Sequence, residues 1–247
     1  LRAVVGESEA VLSTADSLNF NTVECSGSKE KFLTFENEGI FDLEFYSFEI
    51  ISENDNFSFD VETEDLTIKP GEKDSIKIIL EPNEQGFISD SLLIKTNASN
   101  YNAGNAYIHL TAYNENWNLE FSADTLYFAN AKENINYTKF TQILNTGNQS
   151  LYFDFPVVKG KFTVVSIEPN PIPAGESGIV RVEFEGGKAD ERYSEVYSYK
   201  DNCGKNHKLE LIADVVGYAQ AGIGIDTINA APGDTISIPF YLYSPEN

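Results

Sequence analysis

The sequence predicts an all-β protein built of tandem β-sandwiches, and three observations carry that prediction. Short alternations of apolar and polar residues recur at period two, and no stretch carries a sustained helical apolar stripe. Turns rich in Gly, Asn and Pro separate those alternations. The chain also repeats itself. An offset of 108 positions aligns Leu18 with Leu126, Phe20 with Phe128, Lys31 with Lys139, Phe32 with Phe140, Asn37 with Asn145, Gly39 with Gly147, Leu43 with Leu151 and Phe45 with Phe153. The match resumes at an offset of 104, where Ile68, Gly71, Glu72, Ile76 and Ile78 meet Ile172, Gly175, Glu176, Val180 and Val182. At 101, Leu110 and Ala112 meet Leu211 and Ala213. The offset changes between matched blocks, as insertions in loops joining strands require.

Taken in order, residues 1–6 repeat the pattern of residues 211–217, so residues 1–14 are expected to hold the last strand of a preceding repeat and a linker, in an array longer than this chain. Residues 15–114 form the first sandwich, with strands marked by Leu43/Phe45, Ile76/Ile78/Leu80 and Leu92/Ile94. Residues 115–217 form the second, with strands at Leu151/Phe153/Phe155 and Val180/Val182/Phe184. Turns at Asn37-Glu38-Gly39, Lys69-Pro70-Gly71-Glu72, Asn145-Thr146-Gly147 and Pro173-Ala174-Gly175-Glu176 place Gly or Asn where a positive φ is expected. Residues 218–247 read as the first strands of a third, incomplete β-domain, because so few strands cannot bury a face.

The 247 residues suffice for two sandwich cores, and 41% hydrophobic with 13% aromatic content is that of a folded chain. Seventeen Lys and Arg against 39 Asp and Glu give a net charge of −22, which argues against nucleic acid and anionic membrane surfaces as partners. No apolar run approaches the roughly 18 residues that span a bilayer, so no membrane insertion is expected of this stretch. The chain has no Met and does not open on a basic-then-apolar segment, so an internal or processed piece is expected.

The order of motifs then becomes informative. An Asn-x-Gly turn, Leu43-x-Phe45, Ile68-x-Pro70-Gly71-Glu72, Ile76-Lys77-Ile78-Ile79-Leu80-Glu81-Pro82, Gly86, Leu92-Leu93-Ile94-Lys95-Thr96-Asn97 and Leu110-Thr111-Ala112 together resemble the ASH/Hydin type of immunoglobulin-like domain, called choice-of-anchor D in bacterial surface proteins. The resemblance covers about residues 15–217. The second repeat departs from it, with Ala174 in place of Pro and Glu185-Gly186 in place of Glu-Pro. Residues 221–247 are similar to the opening of cohesin-like or other bacterial immunoglobulin-like modules. The resemblance implies tandem immunoglobulin-like β-sandwiches that serve as non-catalytic spacer, scaffold or adhesive units.

Candidate chemistry is sparse. His109 and His207 are the only histidines and fall far apart in the expected topology, so no catalytic residues are assigned. Cys203 and His207 supply two metal ligands where zinc needs three or four, and the acidic runs Glu53-Asn54-Asp55 and Glu62-Thr63-Glu64-Asp65 follow no calcium-loop pattern. No metal and no cofactor are therefore assigned; Asn114-Glu115-Asn116 falls at the junction between the repeats, where a bound cation would stiffen the array. In an immunoglobulin-like sandwich the loop after the first strand lies at the end where the chain leaves, and the last hairpin at the end where it enters. Cys25 of the first repeat and Cys203 of the second therefore face one junction, where a disulfide is geometrically allowed; two free thiols, or bonds to neighbouring repeats, are the alternatives.

Trp117 is expected to pack one sandwich against the next. Asp followed by Ser or Thr and an aliphatic residue marks Ser17, Ser75, Ser91, Thr125, Thr227 and Thr235. This resembles the O-glycosylation pattern of Bacteroidetes-type periplasmic and surface proteins, and it is equally how a strand begins. Asn56, Asn97, Asn136 and Asn148 stand in Asn-x-Ser/Thr sequons. The expected role is a stalk, filament or adhesive spacer of an extracellular or cell-surface bacterial protein. Its partners would be neighbouring domains or subunits of the same array and, as a further candidate, surface glycans. An intracellular ASH-type scaffold of cilia or centrosomes, and accessory domains of a secreted enzyme, are the alternatives.

Overall fold

The structure, a computed structural model, describes residues 9–52, 54–60, 66–217, 222–225, 229–238 and 240–243. It is all-β, with two immunoglobulin-like sandwiches in tandem. The first contains β1 (Leu12–Thr14), β2 (Ser17–Glu24), β3 (Lys29–Asn37), β4 (Leu43–Ile51), β5 (Phe57–Asp60), β6 (Thr67–Ile68), β7 (Lys73–Leu80), β8 (Gly86–Thr96) and β9 (Asn105–Glu115). One sheet has the order β1-β3-β7-β5 and the other β2-β9-β8-β4-β6. Alternate residues point inward, so Leu33, Phe35, Ile76, Ile78, Leu92, Ile94, Ile108 and Leu110 share one core. The start of β2 runs parallel to β9, and its register shifts between Asn19 and Thr22, where Asn21 takes a positive φ.

The second sandwich contains β10 (Leu119–Phe121), β11 (Thr125–Lys132), β12 (Tyr137–Asn145), β13 (Val157–Lys159), β14 (Phe162–Glu168), β15 (Ser177–Phe184), β16 (Arg192–Lys200) and β17 (Asn206–Val216). Its sheets read β10-β12-β15-β14-β13 and β11-β17-β16, and they enclose a separate core that includes Phe128, Ile143, Phe162, Val180, Phe184, Leu209 and Leu211. Beyond it, β18 (Gly222–Ile225) pairs antiparallel with β19 (Phe240–Tyr243).

Three expectations need correction. Leu12–Thr14, expected ahead of the first sandwich, belongs to it: β1 pairs with β3, and Ala10 and Leu12 are buried in the first core. The Asn100 amide fixes this strand, accepting from Leu12 N at 3.1 Å and donating to Leu12 O at 2.9 Å. The alternation Leu151/Phe153/Phe155 does not form a strand. Only Leu151 bridges, to Ile172, because the Asn170 side chain occupies both backbone groups of Phe153, at 3.1 and 2.8 Å. β16 consequently lacks the partner that β4 gives β8. Finally, Gly71 and Gly175 have φ of +75°, but Gly39 and Gly147 are glycine for want of space: a Cβ would lie 2.3 Å from Glu9 O and 2.4 Å from Asn116 O.

Candidate functional site at the junction between the sandwiches

The junction is built from a motif used twice. Asn37 and Asn145, each the last residue of its strand and fully buried, staple the loop that follows. Asn37 Nδ2 donates to Phe41 O and Ile68 O, both at 2.8 Å, while its Oδ1 accepts from Gly39 N at 2.9 Å. Asn145 repeats the set with Gln149 O at 2.8 Å, Ile172 O at 3.0 Å and Gly147 N at 3.0 Å. A buried amide that satisfies three backbone groups holds its loop in one conformation. In the second sandwich that loop lies against the chain entering from the first.

Residues 116–118 link β9 to β10. Asn148 spans this linker: its Oδ1 accepts from Asn116 N at 2.7 Å, its Nδ2 donates to Asn114 O at 2.8 Å, and its own N–H donates to Asn116 O at 3.0 Å. Gln85, in the loop before β8, donates to Thr146 O at 3.3 Å. Asn114 is buried and fully used, donating to Glu84 O at 2.7 Å and accepting from Ser26 N at 3.1 Å. At residues 114–116 the Asn114 Oδ1, Asn114 O and Asn116 O acceptors are thus engaged in hydrogen bonds.

Across this contact Cys25 and Cys203 are joined in a disulfide, with Cα atoms 5.3 Å apart and a sequence separation of 178. Cys25 sits in the turn after β2, where its N–H donates to Glu115 O at 2.7 Å. Cys203 sits in the turn between β16 and β17. That turn is braced by Asp201, which accepts from Lys205 N at 2.9 Å and meets His207 Nε2 at 2.7 Å, with both side chains buried. Lys205 Nζ reaches back to Asn118 Oδ1 at 2.8 Å. Both candidate metal ligands of the turn are thus engaged elsewhere, Cys203 with sulfur and His207 with a carboxylate. Among the described residues no group of three or more His, Cys, Asp or Glu stands where it could hold a metal ion. His109 is exposed on β9, remote in topology from His207.

Trp117 is half-buried and packs against the second core. Ser17, Ser75 and Thr235 are exposed, Ser91 and Thr125 are half-buried, and Thr227 lies outside the described residues. Asp16 and Asp124 play the same part in the two repeats: their carbonyls accept from His109 N and Glu210 N where β2 and β11 start. Of the sequon residues, Asn56 donates to Glu84, Asn97 to Asp42 O and Asn148 to Asn114 O, and Asn97 and Asn136 are exposed. Of the acidic runs, Glu53 and residues 61–65 lie outside the described residues. Near Asp55, Asp90 Oδ2 is buried with no hydrogen-bond partner among the described residues. Burial, aided by the charges of Glu84 and Asp55 and opposed by a hydrogen bond from Ser52, raises the Asp90 pKa above the usual carboxylate range.

The reading of the sequence marked Asn148 only as a sequon asparagine and missed its role at the linker, along with Gln85 and the Asp201–His207 brace. A signal for the brace was present: an acid and a histidine flanking a turn cysteine at close spacing.

Residues 10–112 match the family model described as the HYDIN/CFA65/VesB-like Ig-like domain. No curated protein matches the chain. Among solved structures, a Porphyromonas gingivalis W83 protein of unknown function is similar over 82% of this chain and 99% of its own, at 13% identity and a TM-score of 0.35. The human CEP192 ASH/PapD-like domain 7 covers 46% of this chain over 92% of its own, at 11% identity and a TM-score of 0.37. The Vibrio cholerae VesB protease covers 41% of this chain and 31% of its own, at 15% identity and a TM-score of 0.36.

Proposed function

We propose, from residues 10–112 as a HYDIN/CFA65/VesB-like immunoglobulin-like domain, that the chain is a non-catalytic spacer in an extracellular multi-domain protein. Two sandwiches locked end to end hold whatever they carry at a fixed distance and angle. The observation that carries this reading is the Cys25–Cys203 disulfide, which ties two separately cored sandwiches and belongs to an oxidising compartment. The amides of Asn148 and Gln85 support it, since a freely swinging joint has no use for directional bonds across the linker. The exposed Ser17, Ser75, Thr235 and Asn136 are accessible places for sugar in such a setting.

The test is the intact mass of the protein from its native source, with thiols blocked before and after reduction. We expect two cysteines that react only after reduction. Two thiols free from the outset would sink the spacer reading in this form and favour the intracellular scaffold. A second reading, accessory domains beside an enzyme, draws on the family description, which includes VesB. A catalytic module in the same native polypeptide would decide for it.

A further inference from the structure

We propose that the end of the first sandwich carrying Ile40 and Phe41 is a docking surface for the closing end of another β-sandwich joined ahead of residue 9. This rests on the array reading above but not on its compartment.

The repeat places two loops in correspondence. Its offset of 108 pairs Ile40 with Asn148 and Phe41 with Gln149. The backbone agrees, because Ile40 N donates to Glu9 O at 3.0 Å and Asn148 N donates to Asn116 O at 3.0 Å. Gly39 presses on residues 9–11 as Gly147 presses on residues 116–118. The two loops are the same part, each stapled by its buried asparagine. In the second sandwich this part touches the sandwich before it, through Asn148 and Thr146. In the first it presents Ile40 at 69% and Phe41 at 53% exposure, at the edge of an open cleft of about 580 Å³ whose other lining, apart from Ala10, is polar: Glu9, Asp42, Glu44, Asn97 and Ser99.

The chemistry of the occupant follows from the difference between the loops. Asn148 gains by directional bonds. Ile40 and Phe41 gain only by leaving water, so their partner must bring an apolar surface. The sequence of residues 1–6 resembles that of residues 211–217, with one residue fewer, and on that likeness the partner is taken to be a sandwich of the same kind. Residues 97–104, which correspond to the turn bearing Cys203, contain no cysteine. This joint therefore has no counterpart of the Cys25–Cys203 bridge, and its apolar contact is confined to Ile40 and Phe41.

The test is carbene footprinting, which labels exposed apolar side chains, on the 247-residue chain and on the native protein from its source. We expect Ile40 and Phe41 to be labelled in the chain and at least fivefold less in the native protein. Equal labelling overturns the proposal, whatever the thiol measurement shows. Where protection is found, Phe41→p-benzoylphenylalanine in the native protein identifies the cover. A photocrosslink to residues ahead of Leu1 in the same polypeptide supports the proposal; one to a second copy or to another protein overturns it.

Discussion

The residue on which both sandwiches depend is the strand-terminal asparagine. Asn145 bonds two carbonyls and one N–H, and removal of its side chain breaks all three bonds, stripping Gln149 O of this donor while Ile172 O keeps Leu151 N and Gly147 N keeps Asn118 O. Each such loss costs on the order of 1 kcal/mol or more, so Asn145→Ala should destabilise the second sandwich by about 3 kcal/mol, read from its denaturant midpoint. The sequence marked Asn37 and Asn145 only as turn formers. An asparagine at a strand end has the same letter whether it faces solvent or the interior, and only the folded loop decides. Tyr197 offers a second prediction at this scale. Burial, and then the nearby Tyr199, push its pKa up to about 12 from 10.0. The folded state therefore holds the phenol proton more tightly than the unfolded chain, so its contribution is complete below pH 10.0 and is lost as pH rises towards 12. Stability should fall across that window, and Tyr197→Phe should flatten the fall. An equally steep decline in the variant would assign the loss to other groups.

At the scale of elements, the strands were legible where alternation met a partner and illegible where a side chain replaced one. Ile76/Ile78/Leu80 and Val180/Val182/Phe184 form the strands that their period implies. Leu151/Phe153/Phe155 has the same period but loses its ladder to the Asn170 amide, an interaction 17 residues away that no local pattern announces. The glycines of the two loops separate conformation from space. Gly175 has a positive φ, and no atom lies within 4 Å of where its Cβ would stand, so Gly175→Ala should cost only the left-handed strain, about 1 kcal/mol. Gly147 meets Asn116 O, Asn118 N and Trp117 Cα within 3.1 Å, so Gly147→Ala must push the linker away. We expect it to cost about 3 kcal/mol and to shift the amide resonances of Asn116 and Asn118, which Gly175→Ala should leave in place. If both variants lose the same stability and spare the linker, close packing of this loop is not what positions the junction.

For the molecule as a whole, the question is what holds two sandwiches as one body. Each encloses its own buried cluster, so neither needs the other for its core. The topology alone brings the turn after β2 of one to face the β16–β17 turn of the other, and the junction is then held by the disulfide and by uncharged amides. The amides fix the angle but are individually modest, each worth on the order of 1 kcal/mol. The disulfide adds no angular preference of comparable detail; it keeps the amide partners together by closing a 178-residue loop, a constraint of about 5 kcal/mol on the unfolded chain in the chain-entropy account. Once one sandwich is folded most of that loop is already ordered, so the bridge mainly couples the unfolding of the two. Replacement of both cysteines by serine should therefore leave both cores folded yet split a single calorimetric transition into two. In the same variant the Asn116 amide, which donates to Asn148 Oδ1, should exchange with solvent at least tenfold faster, because the linker opens without either sandwich unfolding. Unchanged protection at Asn116 would show that the amides hold the joint alone, and a single transition would show that the sandwiches are coupled by their contact surface rather than by sulfur.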